Sequence, residues 1–515
     1  MARLHEYRGK ELLARHGLAI PRGRSCTTPE QARATAHEIG GEVAVKAQVW
    51  TTARASMGGI RFAASPDAAA RATAAILGQK VKGFTIDVVL VEEKLRIERE
   101  LFASVIVDDA ARRPVMLFAT VGGTGIEEIA RDHPDKIAKT PIDIGEGLQE
   151  HQARNLVRRA GLSGQLQLDV AQALVRLWEA ARSVEARAAE VNPLVVTKDG
   201  RVVAADCRLT VDDYAVFRHP ELGIEIAREL SRPPTALDRI AYAVEAKDYR
   251  GTFYFIQMED GFSRGERYVG FHGAGGGGSM MSMDAVLQRG FKIANFCDTS
   301  GNPPASKVYR AARIILSQPH IDAYFGSGSG VASQEQFHSA RGLVKAFLED
   351  DLHIPAVIRL GGNQEEKAIQ ILTDYTRDLR VPVEAYGKDD SANKCAERLQ
   401  ELVATTPRPP RRPRAARPPA KEPYEFQTVT GRIVYDHAVC LECESKVCVQ
   451  ACVPQILKVE NGKPVLAVSR EEAKRGKCTE CLACEVECRF HGKGAGHVEL
   501  LIPGLEDYRR SQGVV

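Results

Sequence analysis

Apolar positions along the first part of the chain switch between the period of a helix and that of a strand. "TTPEQARATAHEIGG", residues 27–41, has helical spacing, with Thr28 as N-cap, Pro29 in the first helical position and Gly40 as terminator. "EVAVKAQV" then alternates as a strand. "SPDAAARATAAILG" repeats the helix logic, and "DVVLVEEKL" and "LFASVIVDD" read as strands. A second region of the same kind begins near Thr235. There "ERYVGFHGAGGGGSMMSMDAVLQRGF" and "HIDAYFGSGSGVASQEQFHSARGLVKAFLEDD" each run strand, glycine loop, helix. Units in that order build a parallel sheet whose loops gather at one edge, where ligands bind.

Length changes this picture by requiring several cores, because 515 residues exceed what one core supports. Hydrophobic residues at 44% and charged residues at 27% are ordinary for a soluble protein, and no apolar run spans a membrane. The N-terminal "MARLHEYRGKELLARHG" is too charged for the core of a secretory signal, so a cytoplasmic protein is expected. The formal charge of +3 is concentrated in "TTPRPPRRPRAARPPAKEP", residues 405–423, where six basic residues face only Glu422. The remainder is slightly acidic and gives no case for nucleic-acid binding. The same stretch holds seven prolines and no glycine. It predicts a semi-rigid extended spacer that, at about 3.1 Å per residue, would reach roughly 60 Å, with binding to acidic surfaces as the other use of such a basic tract.

Several motifs carry chemistry. "HGAGGGGS", residues 272–279, and "FGSGSGVAS", residues 325–333, lie between a strand and a helix, and two helix N-termini facing one point would hold a phosphoryl group or a carboxylate. "AEVNPLVVTKDGRVVAADCRL" places Glu190, Asn192 and Asp206 on two adjacent strands. Their oxygens suit Mg²⁺, though by spacing alone an exposed hairpin is the better fit. Lys46 in "VAVKAQV" could reach a nucleotide phosphate or stand solvated at a strand edge.

These residues acquire joint meaning because "LHEYRGKELLARHGL", "AVKAQV", "EVNPLVVTKDG", "HGAG", "ANFCDTSGN", "ARIILS" and "VIRLGGN" stand in an order and spacing that resemble the β subunit of succinyl-CoA synthetase and its relatives, the nucleoside-diphosphate-forming acyl-CoA ligases. The resemblance covers about residues 1–404. It implies an α/β multidomain chain, with an ATP-grasp domain over 1–232 whose mobile lobe spans about 21–98, then a flavodoxin-like CoA-ligase domain over 233–404. It also implies ATP or GTP, Mg²⁺ and a carboxylic acid as ligands. CoA would be bound mainly by an α-type partner subunit that carries a phosphohistidine. Carried over by position, Lys46, Arg54, Glu92 and Glu100 would line the nucleotide, Asn192 and Asp206 would hold Mg²⁺, and Glu190 would orient the histidine for phosphorylation. Gly330, Val331 and Ala332 would form the acid loop beside His272.

The chain departs from that family at three places. "WTTARASMGG" has Ala53 and Ala55 around Arg54 where the family has glycines, and alanine Cβ atoms limit close backbone approach to phosphates. His272 replaces an asparagine, and "DTSGNPP" replaces a triple-glycine loop. An acid other than succinate follows from these changes.

The last 92 residues, 424–515, carry eight cysteines in two runs, "VCLECESKVCVQACVP" and "KCTECLACEVEC". The spacing resembles a bacterial ferredoxin, which predicts a small α+β ferredoxin-like domain with two [4Fe–4S] clusters. Cys440, Cys443, Cys448 and Cys488 would hold one cluster, and Cys452, Cys478, Cys481 and Cys484 the other. The rival assignment is two zinc sites. A ligase fused to such a module implies a redox partner, either a flavoprotein or a reductase. The alternatives are an ATP-gated electron-transfer component and a scaffold subunit with a degenerate nucleotide site.

Overall fold

The computed structural model describes residues 2–50, 58–123, 137–228, 232–258, 261–328, 330–412 and 417–514. The chain divides into two compact units, Met1–Pro233 and Pro234–Val515. Among the described residues no helix is long and apolar enough to cross a membrane.

In the first unit the expected helices form where their caps stand. Pro29–Ile39 begins with the Thr28 hydroxyl accepting from the Gln31 N–H, and Pro66–Ile76 uses Ser65 in the same way. Both helices present small residues, among them Ala32, Ala36, Ala69 and Ala72, to the inward-facing Val43, Val45, Val89 and Val91. Alternation along the strands is thus matched by a helix stripe of low volume, which lets the layers approach closely. The sheet beneath is antiparallel, in the order Gly23–Cys26, Val89–Glu93, Val43–Ala47, Ile60–Ala63. A larger antiparallel sheet is built around Ile97–Asp108 and Ala186–Thr197, the latter flanked by Arg208–Val211 and Val202–Ala204.

The second unit contains a six-stranded sheet in the order Tyr254–Gln257, Lys292–Asp298, Tyr268–Ala274, Ala323–Gly328, Ala356–Arg359, Val383–Tyr386. Every pairing is parallel except that of the first edge strand. "HGAGGGGS" forms the expected strand, turn and helix, with Gly275 at φ +104° before the helix Gly276–Gln288. "FGSGSGVAS" differs, because the next helix, Phe337–Glu349, starts only after a further loop. Two helix N-termini therefore do not follow the two glycine loops in the same way.

The largest departure concerns the proline tract and the tail. The tract does not hold the tail at a distance. Arg408 donates to Asp322 and to the Ile321 carbonyl at 2.8 Å each, Arg411 donates to the Gln318 carbonyl, and the Pro410 carbonyl accepts from Arg380. An extended proline segment has no internal hydrogen bonds, so its carbonyls and its arginines are available to the domain it crosses. The tail then packs on the same domain. Its three-stranded sheet, Pro423–Gln427, Arg432–Asp436 and Gly496–Glu499, shares one apolar core with the helix Ala305–Leu316, in which every residue is buried.

Charged residues on two helices of the sheet domain meet the tail. Lys345 donates to both oxygens of Glu485 at 2.7 and 2.8 Å, and Arg313 donates to Glu506 at 2.8 Å. Tyr375 stacks on Phe490 with ring centroids 4.2 Å apart.

Candidate functional site

Strand Val43–Ala47 carries Lys46 into a buried square of charges in the first unit. The Lys46 ammonium contacts Glu6 at 3.0 Å, Glu92 at 2.7 Å and the Ala205 carbonyl at 2.9 Å. Lys10 mirrors it, contacting the same two glutamates at 2.9 and 2.7 Å and the same carbonyl at 2.8 Å. Burial opposes the charge on Lys46, but Glu6, Glu92 and Asp206 together outweigh it and hold its pKa above the usual lysine value. The ammonium therefore stays charged beside Asp206, the residue that follows the shared carbonyl.

Glu92, expected at the nucleotide, is 3% exposed and gives its two oxygens to Lys46 and Lys10, so it anchors both lysines. Glu6 and Lys10 were not singled out from the sequence. Their signal was the i,i+4 pair in "HEYRGKE", which is common enough on exposed helices to pass unnoticed.

A second convergence lies at Gly123. Its N–H donates to Asn192 Oδ1 at 2.6 Å, and a Cβ there would meet Glu100 Oε2 at 2.4 Å. The position needs glycine twice over, since φ is +81°. Glu100, from strand Ile97–Asp108, and Asn192, from strand Ala186–Thr197, are thereby brought to one backbone segment. Glu190 lies on the same strand as Asn192, paired to Ser104 on one side and Arg208 on the other. Asp206 accepts the Cys207 N–H at 2.7 Å. Amide and carboxylate oxygens of this kind are the donors Mg²⁺ prefers, and an amide oxygen with one hydrogen bond keeps a second lone pair. Arg54 and the loop around it lie outside the described residues.

In the second unit the loop expected to meet the acid, residues 330–332, is held by its neighbours. Ala332 bridges to Gly362, the Ala332 carbonyl accepts from the Asn363 N–H at 3.0 Å, and Asn302 Oδ1 accepts from the Gln334 N–H at 3.0 Å. Gly330 has φ +77°, and Val331 projects outward at 86% exposure.

His272, expected beside the acid, is 5% exposed, with Tyr324 at Nδ1 and Thr299 at Nε2, so its ring is braced at the strand end. Thr299 donates its hydroxyl hydrogen to the Gly273 carbonyl, which makes Nε2 the protonated nitrogen. Burial pushes the His272 pKa down to about 3, below the ordinary 6.5. His353 is likewise pushed down to about 3, by burial and then by Arg411. The fold therefore prefers neutral rings. Stability is full above about pH 6.5 and falls as pH drops from there toward 3, by several kcal/mol at the limit. In denaturant titrations from pH 7 to pH 5 the unfolding free energy should decline, and His272→Gln should flatten the slope by about one proton. An unaltered slope in the variant would show that this ring titrates normally.

All twelve cysteines are buried and none forms a disulfide. Eight of them sort into two groups. Burial, and then the thiols of Cys448, Cys488 and Cys443, push Cys440 up to about 12. Burial and the thiols of Cys481, Cys478 and Cys452 raise Cys484 in the same way. Cys452, Cys478, Cys481 and Cys484 line one small cavity closed by Ile433, Leu457 and Val498. Backbone N–H groups point at the sulfurs: Ile456, Leu457 and Gln455 at Cys452, and Gly496 at Cys488 at 3.4 Å. Cys443 is opposed by burial, yet Ser445 and the N–H groups of Lys446 and Lys493 hold it below the ordinary thiol value. Tyr435, fully buried, stands between the groups, close to Cys484 on one side and to Cys448 and Cys488 on the other. Among the described residues no three His, Cys, Asp or Glu are placed to hold a single metal ion.

The two halves of this architecture match known families. Residues 3–196 match the ATP-grasp domain family, and residues 267–399 match the citrate-binding family of ATP citrate lyase. The fold and the nucleotide-half residues thus define an ATP-grasp protein of the NDP-forming acid–thiol ligases. The chain is 38% identical over 370 residues to the β subunit of GDP-forming succinate–CoA ligase from Thermus thermophilus, covering 72% of this chain and 93% of the relative. It is 33% identical over 402 residues to the β subunit of ADP-forming succinate–CoA ligase from Methanothermobacter thermautotrophicus, covering 78% and 99%. The chain belongs to the succinate–CoA ligase β-subunit family. In fold it is also similar to ATP citrate lyase from Methanothrix soehngenii, solved with citrate and coenzyme A, at a TM-score of 0.63 and 17% identity over 78% of this chain and 99% of that one.

Proposed function

We propose that this chain is the β-type subunit of an ATP-dependent carboxylic acid–CoA ligase, working with an α-type subunit that binds CoA and carries the phosphorylated histidine. The observation that carries the reading is the pair of convergences in the first unit, Lys46 beside Asp206 and Glu100 with Asn192 at Gly123, in a chain of this family. Lys46 would meet the phosphates of ATP or GTP by exchanging one of its two carboxylates for a phosphate oxygen, while Lys10 keeps Glu6 and Glu92 compensated. Asn192 and Asp206 would hold Mg²⁺, which would supply charge neutralisation to the phosphates. Glu190 would orient the partner's histidine to receive the phosphoryl group. The histidine would pass it to the acid as an acyl phosphate, and CoA would displace phosphate. Gly330, Val331 and Ala332 would shape the acid's end of the second unit, and the changes at His272 and "DTSGNPP" favour an acid other than succinate.

We further propose that residues 424–515 form a ferredoxin-like module with two [4Fe–4S] clusters and a redox partner. Cys440, Cys443, Cys448 and Cys488 would hold one, and Cys452, Cys478, Cys481 and Cys484 the other. Eight buried thiols in two groups, with N–H groups aimed at several sulfurs, form the donor set such clusters take. The clusters would supply one-electron transfer. Twelve buried cysteines without a disulfide also fit a reducing cytoplasm.

One preparation tests both parts. The chain copurified with its partner subunit should release NDP only when CoA and one acid of a carboxylate panel are both present, and should be brown, bleaching on reduction with an electron paramagnetic resonance signal. Nucleotide hydrolysis indifferent to acid and CoA would sink the ligase reading. A colourless protein with stoichiometric zinc would sink the cluster reading.

A further inference from the structure

Where the tail meets the sheet domain the second unit encloses a cavity of about 400 Å³. One wall is the first two turns of the helix Ala305–Leu316, with Lys307 and Arg310, and another is the tail at Val429, Thr430, Leu501 and Pro503. Lys247 and Tyr249 stand on the side facing solvent.

The charge balance of this cavity is unusual for the surface it lies on. On the same helix Arg313 is met by Glu349, Asp350 and Glu506. Arg310 is 5% exposed and makes its three hydrogen bonds to neutral oxygens, the Thr430 hydroxyl at 2.9 Å, the Thr430 carbonyl at 2.7 Å and the Leu501 carbonyl at 3.3 Å. Among the described residues no carboxylate lies within ion-pair distance of it. Asp248, the acidic residue of the lining, is taken by Lys307 at 2.5 Å. The carboxylate that acts on it most, Glu480, stands one hydroxyl away through Thr430, so the buried guanidinium is compensated at a distance, and an anion in the adjoining space would compensate it directly. The dipole of the helix whose first two turns form the wall acts in the same direction. Burial holds both Arg310 and Lys307 below their ordinary values, so the neighbouring negative charge does not make up for their lost solvation.

We propose that this cavity is a second ligand site, which binds an organic monocarboxylate with its carboxylate between Arg310 and Lys247 and its apolar body against Val244, Phe253 and Leu501. The remaining lining selects the class. A free phosphate would leave the apolar walls in water, and a dicarboxylate would bury a second charge against them. The volume suits a small ligand of a few to about twenty heavy atoms. The site also adjoins the second cysteine group. Glu480, between Cys478 and Cys481, accepts from the Thr430 N–H at 2.7 Å and from its hydroxyl at 2.6 Å, and Thr430 in turn holds Arg310. A ligand on Arg310 is therefore two residues away from the segment that carries those thiols. The site does not depend on what the thiols bind.

Calorimetry on the full-length protein with benzoate, hexanoate and inorganic phosphate as separate probes tests it. Benzoate or hexanoate should bind one to one, and both Arg310→Gln and Lys247→Gln should weaken that binding at least tenfold. Lys247 is exposed, so its variant gives the answer if Arg310→Gln fails to fold. Two results overturn the proposal: neither carboxylate binding at millimolar concentration, or carboxylate binding that Lys247→Gln leaves unchanged. Binding of phosphate with no response to either carboxylate overturns the assigned class.

Discussion

Lys46→Met should lower the nucleotide-dependent turnover of the assembled ligase by about 10²- to 10³-fold, the usual effect of deleting one positioned charge at a phosphoryl-transfer centre. Methionine keeps the length of the stem and removes the ammonium, so a loss would come from the charge. The variant also alters the buried square, because Glu6 and Glu92 would then lose one of the two lysines they share. Two readouts separate these effects. A phosphate-binding role predicts a fall in kcat beyond what lost stability explains, and Lys10→Met, which touches the same glutamates and should cost comparable stability, should leave more of the turnover. Equal turnover losses in the two variants, each tracking lost stability, would make Lys46 a structural residue.

A comparably large effect is expected at Lys345. Its ammonium is 3% exposed and is held by Glu349 at 2.7 Å and by Glu485, whose carboxylate also accepts from the Val498 N–H at 3.0 Å. Burial opposes the charge, yet Glu485 and Glu349 keep Lys345 above the usual lysine value. Lys345→Met leaves Glu485 buried with, among the described residues, Arg417 as the cation left beside it, at 3.6 Å. Removing one member of a buried pair costs about 3–5 kcal/mol, because the remaining charge is left uncompensated. The tail should therefore loosen from the sheet domain, with hydrogen exchange rising across 483–499 first. The double variant Lys345→Met with Glu485→Leu should recover most of the loss, since an apolar pair of similar volume carries no desolvation penalty. Exchange rates unchanged in the single variant would show that the apolar contacts, such as Tyr375 on Phe490, hold the tail by themselves.

Much of the local structure was legible in the residues. Thr28, Pro29 and Gly40 mark the ends of the first long helix of the four-stranded lobe, and Ser65 marks the next, because capping is settled within four residues of chain. The strand, turn and helix at "HGAGGGGS" were equally plain. At the candidate site the outcome was mixed. Asn192 and Glu100 do come to one backbone segment, at Gly123, a residue the motifs did not include. Glu92 and His272 turn inward, since the alternation of a strand says which face a side chain takes and not what stands opposite it on another element. Lys10 and Glu6 were passed over for the same reason: their i,i+4 spacing looks like any exposed helical pair until two strands bury it.

The proline tract shows the limit most clearly. Its composition predicts an extended backbone, but composition carries no distance to Asp322, Asp351 or Glu485, so a spacer and a strap read alike. By itself the sequence determined what is local: the helix ends, the alternating strands, the two cysteine runs and the family to which the body belongs. Only the tertiary structure decided that the tail shares a core with the sheet domain, that Arg313 and Lys345 pair directly with carboxylates across that junction and that Arg310 reaches Glu480 through Thr430. Those outcomes depend on which charges lose their water together, and burial of that kind is set by contacts between residues about a hundred or more positions apart.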